Sequence, residues 1–350
     1  MRAAVMEAVR QPLVVRDVPD PKPPRDGVVV RVEANGVCRS DWHLWTGDWS
    51  WVGIAVPLPH VGGHEFCGVI EDVGPEVTRW KKGDRVLVPF SQGDGTCEWC
   101  RSGHQNICDS FLTPGFAYWG GFGRYVAMPH ADVNLVALPE SVGFVEASSM
   151  GCRYMTSFHG LVDRAQVSAG EWVAVHGCGG IGLSAVQIAS ALGANVIAVD
   201  IDDQKLAFAK ELGAAATIHA TKEDPVGAIA ELTQGGAHVA VDALGVAATC
   251  RNALMSLRKR GRHLQIGLTS SAEKGEIAMP IDIMVLKELT VVASLGMQAP
   301  RFGAMLRMVE SGKLAPGKLV NRTIPLEETS SVLESMDKFA TIGVTVIDRY

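Results

Sequence analysis

No apolar run in the 350-residue sequence is long enough to cross a bilayer, and the first ten residues lack the apolar core of a secretion leader. Both absences point to a cytoplasmic chain whose start reads as a first strand. Charge is sparse, at 20% of residues, and neither sign dominates: 32 Lys and Arg against 38 Asp and Glu give a net −6. That balance predicts no basic patch, so nucleic acid and membrane surfaces are not expected partners. No internal repeat or low-complexity stretch interrupts the sequence. The eight cysteines lack the look of a disulfide framework, since four lie in or beside one tight cluster, and they read as reduced thiols. Nor is there the composition of disorder: 47% hydrophobic residues at this length predict two domains, each with its own core.

What is present centres on residues 36–43, Gly-Val-Cys-Arg-Ser-Asp-Trp-His. Cys38 as thiolate is a soft metal ligand, Ser40 and His43 can pass a proton, and Arg39 can hold a phosphate. A second stretch, Gly62-Gly63-His64-Glu65-Phe66-Cys67-Gly68, and the distant Cys152 complete a pattern. Cys38, His64 and Cys152 come from three segments and form the three-ligand set of a catalytic zinc with one position open. Trp42, Trp45, Trp49 and Trp51 crowd the following residues. They read equally as local packing or as an apolar wall for a substrate.

Cys97-x-x-Cys100 with Cys108 is a zinc knuckle lacking one ligand, for which Asp94 and His104 compete; Asp94 repeats the three-residue step. The rival redox reading of Cys97 and Cys100 lacks the βαβ context it needs. The remaining histidines read as surface or packing residues.

Residues before 150 alternate in short strands and glycine turns, and a helical pattern near Val145 carries Cys152 and Thr156. From Glu171 onward the character changes. A buried-strand run, 172–176, leads into Gly177-Cys178-Gly179-Gly180-Ile181-Gly182, a helix over 183–192 and a second strand ending at Asp200. This is a dinucleotide fingerprint: Gly177 for a tight turn, Gly179 for backbone approach to a pyrophosphate, Gly182 for close helix–strand packing. Asp200 suits the ribose hydroxyls of NAD and repels the 2′-phosphate of NADP, although Lys205 nearby softens that preference. Helices over 204–212, 225–233 and 247–258 alternate with strands over 217–219, 237–244, 262–267 and 289–295, a doubly wound parallel sheet. Two further helices, over 302–311 and 326–338, and a strand over 344–347 return to the first domain. The expected division is 1–153 with 297–350, and 154–296.

Together these motifs resemble the zinc-dependent medium-chain alcohol dehydrogenases over the whole chain. The resemblance implies an α/β protein with a β-rich GroES-like catalytic domain and a Rossmann domain, binding zinc and NAD. It implies that Cys38, His64 and Cys152 hold catalytic zinc. Glu65 would stand beside the metal or visit it, and Asp41 would orient the His64 ring. Arg39 would touch the coenzyme pyrophosphate and Thr156 the nicotinamide. Ser40 and His43 would relay the alcohol proton through the coenzyme ribose to solvent. The implied reaction interconverts a primary or secondary alcohol with its aldehyde or ketone, and Trp49, Trp51 and Trp119 imply an apolar or aromatic one. Two departures stand out. The family's first structural cysteine is Asp94 here, and residues 343–347 supply no pyrophosphate-gripping arginine. A homo-oligomer, dimer or tetramer, is expected through the sheet edge at 289–295. Competing readings are a polyol or formaldehyde-type dehydrogenase, a zinc-free reductase of the same fold, or a non-catalytic nucleotide-binding protein.

Overall fold

Arg31 and Glu33 alone interrupt the burial of Val28–Val37, a ten-residue strand that anchors the first sheet. This computed structural model describes residues 1–338 and 341–350. They divide into two units, Met1–Met155 with Gly296–Tyr350, and Thr156–Leu295. In the first unit, Val28–Val37 pairs antiparallel with Glu65–Val73, with Tyr125–Met128 and with Val344–Arg349 in a seven-stranded sheet. One apolar cluster joins Ala3, Val37, Trp45, Phe122 and Leu333; another joins Val30, Phe66, Ile70, Val86 and Val126. The register matters for function. Gly36 lies opposite Glu65, so Cys38 and His64 leave neighbouring ends of two paired strands. A Cβ on Gly36 would come within 2.5 Å of Glu65 Oε2, so only glycine allows that approach.

The second unit is a six-stranded parallel sheet. Across it run Ala216–His219, Asn195–Asp200, Trp172–His176, Ala237–Asp242, Leu257–Gln265 and Thr290–Ala293. Counted along the chain this is the order 3-2-1-4-5-6 of a doubly wound nucleotide-binding fold. Its direction reverses between Trp172–His176 and Ala237–Asp242, which is where such sheets open a crevice for ligands. Val173, Ala174 and Val175 are wholly buried, as expected of a parallel strand covered on both faces.

Three sequence expectations need correction. The helix expected over 247–258 stops at Met255, because Leu257 already pairs with Ala237 and begins a strand. The helix Ile281–Leu286 was not foreseen because none of its residues is buried and no periodic apolar face marks it. The strand Val320–Pro325 was not foreseen either; it is an edge strand with mostly exposed polar residues. The expectation of no basic patch also fails locally. Arg258, Lys259, Arg260 and Arg262 line one cavity, a cluster that the summed charge conceals. Among the described residues no helix is long and apolar enough to cross a membrane.

His176, at the end of the first parallel strand, is buried beside His263, and burial pulls its pKa from 6.5 to about 3. The folded chain therefore keeps this ring neutral where the unfolded chain would protonate it. Its stabilising contribution is complete above pH 6.5 and declines as pH falls towards 3. We expect the melting temperature to fall below pH 6.5 with net proton uptake on unfolding, and His176→Gln to flatten that slope. A slope unchanged by the substitution would assign the acid sensitivity elsewhere.

Candidate functional site

The helix Arg39–Thr46 begins where the anchoring strand ends, and Cys38 is its N-cap. Asp41 folds back so that one carboxylate oxygen accepts the Cys38 backbone N–H at 2.8 Å. Its other oxygen accepts His64 Nδ1–H at 2.8 Å. One buried carboxylate thus fixes both the loop carrying Cys38 and the tautomer of His64. With Nδ1 engaged, His64 Nε2 is left buried without a hydrogen-bond partner among the described residues. One ligand atom from each of Cys38, His64, Glu65 and Cys152 lies within 4.8 Å of the others. An orphaned imidazole nitrogen among thiols is costly unless a cation binds it, so this donor set fits zinc. The electrostatics agree. Burial opposes a charge on His64, yet Asp41 outweighs it and raises the basicity of the ring. A hydrogen bond from Cys152 holds the Cys38 thiol well below its ordinary range.

Glu65 and Arg153 each follow a candidate ligand in sequence and meet as a buried ion pair. Arg153 Nε reaches Glu65 Oε1 at 2.9 Å, and a second bond joins Nη2 to Oε2. Burial lifts the Glu65 carboxyl to about 7 against the pull of Arg153. Arg153 escaped the sequence reading because its partner is distant in the chain.

Ser40 and His43 are arranged less symmetrically. Ser40 Oγ is 4.0 Å from Cys38 Sγ. His43 Nδ1–H donates to Asp48 at 2.7 Å, and its ring stacks on Trp49 with centroids 4.3 Å apart. Asp48 was missed by sequence reasoning, although His43 and Trp49 flank it and Gly47, left-handed at φ 69°, turns the chain between them. Its bond fixes the tautomer that leaves His43 Nε2 as acceptor, and burial depresses the pKa so that the ring is neutral near pH 7. We expect Asp48→Asn to lower kcat about tenfold or more, within the contribution of general acid–base catalysis, and to alter its pH profile while leaving zinc content unchanged. An identical pH profile would remove His43 from the proton path.

The aromatic residues separate into roles. Trp42 and Trp45 are core residues, their indole N–H groups held at 2.7 Å by Asp337 and the Gln11 carbonyl. Trp119 is partly buried and packs against the same core, as does Phe116. Trp51 is exposed. Trp49 lies 6.5 Å from Phe116, and Phe116 and Phe90 both approach the His64 ring, at 5.7 and 6.1 Å. Phe111 meets Phe90 at 6.5 Å. Arg39 lies over the Trp42 ring and donates to the Met336 carbonyl, so part of its hydrogen-bonding capacity is spent on the C-terminal segment.

The second cluster gathers Asp94, Cys97, Cys100 and Cys108, again with ligand atoms within 4.8 Å. Cys97 and Cys108 sulfurs stand 3.7 Å apart. Two tetrahedral ligands at ~2.3 Å from one zinc would lie about 3.8 Å apart. Asp94 Oδ1 is 3.5 Å from Cys108 Sγ, whereas His104 faces Gln298, so the carboxylate and not the imidazole completes the group of four.

In the other unit the glycine loop has the shape the fingerprint needs. Gly177 has φ 92°, and a Cβ on Gly182 would sit 1.8 Å from the Gly177 carbonyl. A Cβ on Gly179 would meet nothing within 4 Å, so the chain itself does not demand glycine there; a closely approaching phosphate does. The helix Gly180–Ala191 follows, with Gly180, Ile181 and Gly182 in its first turn and no acidic residue among them. Asp200 accepts the N–H groups of Cys178, Ile201 and Asp202 at 2.6, 2.8 and 3.1 Å, an acceptor locked at the end of the second strand. Lys205 is buried one helical turn beyond, and Thr156 is buried at the start of this unit.

Comparison with known proteins places this arrangement. The family model of the alcohol dehydrogenase GroES-like domain matches residues 24–140, and that of the zinc-binding dehydrogenases matches 180–311. The chain belongs to the zinc-dependent medium-chain alcohol dehydrogenase family. An alcohol dehydrogenase of Geobacillus stearothermophilus is 36% identical over 348 residues, 99% of each chain. An NAD-dependent alcohol dehydrogenase of Sulfurisphaera tokodaii is 33% identical over 354 residues, again 99% of each. Among solved structures of this dehydrogenase family, the benzyl alcohol dehydrogenase of Acinetobacter calcoaceticus superposes with a TM-score of 0.90. It is 25% identical, covering 100% of this chain and 99% of that one.

Proposed function

We propose that this dehydrogenase interconverts a primary or secondary alcohol, apolar or aromatic, with its aldehyde or ketone, passing hydride to and from NAD. The observation that carries the reading is His64 Nε2, buried and unpartnered among two thiols and a carboxylate. Zinc held by Cys38, His64 and Cys152 supplies Lewis acidity that can bring a hydroxyl pKa down by several units, as it brings water from 15.7 to about 7. The chain's own residues do the rest. Asp41 orients the metal-binding ring, and Glu65 with Arg153 stands ready beside it as a further carboxylate. Ser40 and then His43 accept the hydroxyl proton and release it to solvent, with Asp48 fixing the receptive nitrogen of His43. Phe90, Phe111, Phe116 and Trp49 form the apolar side of the pocket, which supports a substrate such as the benzylic alcohol of the Acinetobacter relative. The glycine loop and Asp200 receive the coenzyme, Thr156 steadies the nicotinamide, and Arg39 adds one contact to the pyrophosphate.

None of the eight cysteines is in a disulfide, which suits a cytoplasmic enzyme. Among the described residues Thr290–Ala293 pairs on one side only, beside the exposed Ile281, Val285 and Leu286. Pairing of that edge with a second copy gives the homo-oligomer we propose, to be sized by light scattering. The test of function is a panel of aliphatic, benzylic and polyhydric alcohols followed by NADH absorbance, with NADP alongside. Benzylic or aliphatic turnover with NAD supports the reading. Bound nucleotide without turnover on any alcohol would overturn it.

A further inference from the structure

We propose that the second unit carries a separate site for a phosphate dianion, free or as a small monoester, at the N-terminal rim of its parallel sheet. A cavity of about 230 Å³ there is lined by Glu171, His238, Arg258, Lys259, Arg260 and Arg262. In a chain of net charge −6, four cations and one carboxylate on a single cavity form a strongly positive spot.

The hydrogen-bond inventory gives the spot its chemistry. The Trp172 backbone N–H points at His238 Nδ1 from 3.0 Å, while the Arg258 guanidinium points at His238 Nε2 from 2.7 Å. A neutral imidazole has one lone pair to offer, so two donors compete for it and one N–H of the ring faces another donor. An oxyanion in the cavity resolves this, since it accepts from His238 Nε2–H and from Arg258 together. Arg262 Nε is buried with no hydrogen-bond partner among the described residues. Glu171, the one acidic residue of the lining, is engaged through Oε2, which accepts from Ser168 N–H at 2.9 Å and from Arg262 Nη2 at 2.5 Å. Two donors, His238 Nε2–H and the Arg258 guanidinium, thus face each other on the cavity lining, and a phosphate presents at least three strong acceptor oxygens with a charge of about −2. The cavity exceeds the volume of one phosphate group, which leaves room for an organic substituent.

This rim is distinct from the coenzyme loop. Trp172 and His176 end the same strand, so the two sites lie about 13 Å apart along it at 3.3 Å per residue. The test is a calorimetric titration of inorganic phosphate, and separately of glycerol 3-phosphate, into the full-length protein. Saturating NAD keeps the coenzyme's phosphate cradle occupied, and chloride holds ionic strength constant. One saturable site is expected, weakened about tenfold or more in Arg258→Gln, the scale of a lost charge-assisted hydrogen bond, with alcohol turnover unchanged. Tighter binding of glycerol 3-phosphate assigns the site to an ester, and the reverse order to free phosphate. Arg262→Gln provides a second reading should Arg258→Gln act indirectly. Absence of saturable heat, or affinity unaltered in both variants, would overturn the proposal.

Discussion

Cys38→Ala is expected to lose about one of two equivalents of zinc and to reduce turnover about 10³-fold, the scale on which removing one preorganised electrostatic stabiliser slows an enzyme. The Cys38 thiol is the more acidic of the two thiols in its cluster, because Cys152 bonds to its sulfur. Alanine therefore removes the first thiolate to form and leaves two protein donors and the Glu65 carboxylate, which Arg153 holds. Stability should change little, since Asp41 still binds the backbone N–H of residue 38. Cys100→Ala should do the opposite. It should lose the other equivalent of zinc and lower the melting temperature, while the molecules that remain folded keep their turnover. Zinc assay, calorimetry and single-turnover rates on both variants separate the two metals. Equal loss of turnover in the two would contradict the division of roles.

Asp200→Asn is the second large effect. The carboxylate is held by three backbone N–H groups, so in the proposed role it would meet a ribose already oriented. A hydrogen bond to a charged group contributes about 1.5–3 kcal/mol, so kcat/KM for NAD should fall roughly 10- to 100-fold. NADP should gain at the same time, because the repulsion of its 2′-phosphate is removed. Steady-state kinetics with both coenzymes measure the ratio, and an unchanged ratio would place coenzyme choice in other residues.

The parts that were legible in the sequence are those whose physics is local. Gly177 must turn the chain and Gly182 must let a helix touch a strand, and both requirements fall within six residues of one loop. That Cys38, His64 and Cys152 would come together was legible because Cys and His are uncommon and their chemistry is specific. Asp48 was hidden by a short 3₁₀ turn, Asp48–Val52, that carries it back under His43. A His and an Asp five residues apart around a glycine could have signalled it. Arg153 had no such signal, since only the fold closes the 88 residues between it and Glu65. The tryptophans were ambiguous for a related reason. Indole packs well in a core or on a substrate wall, and position alone sends Trp45 into the core and lays Trp49 against the His43 ring. The basic rim escaped although residues 258–262 read Arg-Lys-Arg-Gly-Arg, a local run that the net charge averages away.

The most direct measurement of the central claim is an anomalous difference map from crystals of the zinc-loaded protein, collected at the zinc absorption edge. The account predicts one peak bonded to Cys38, His64 and Cys152 and a second within Asp94, Cys97, Cys100 and Cys108. An active enzyme whose map shows nothing beside His64 Nε2 would contradict it.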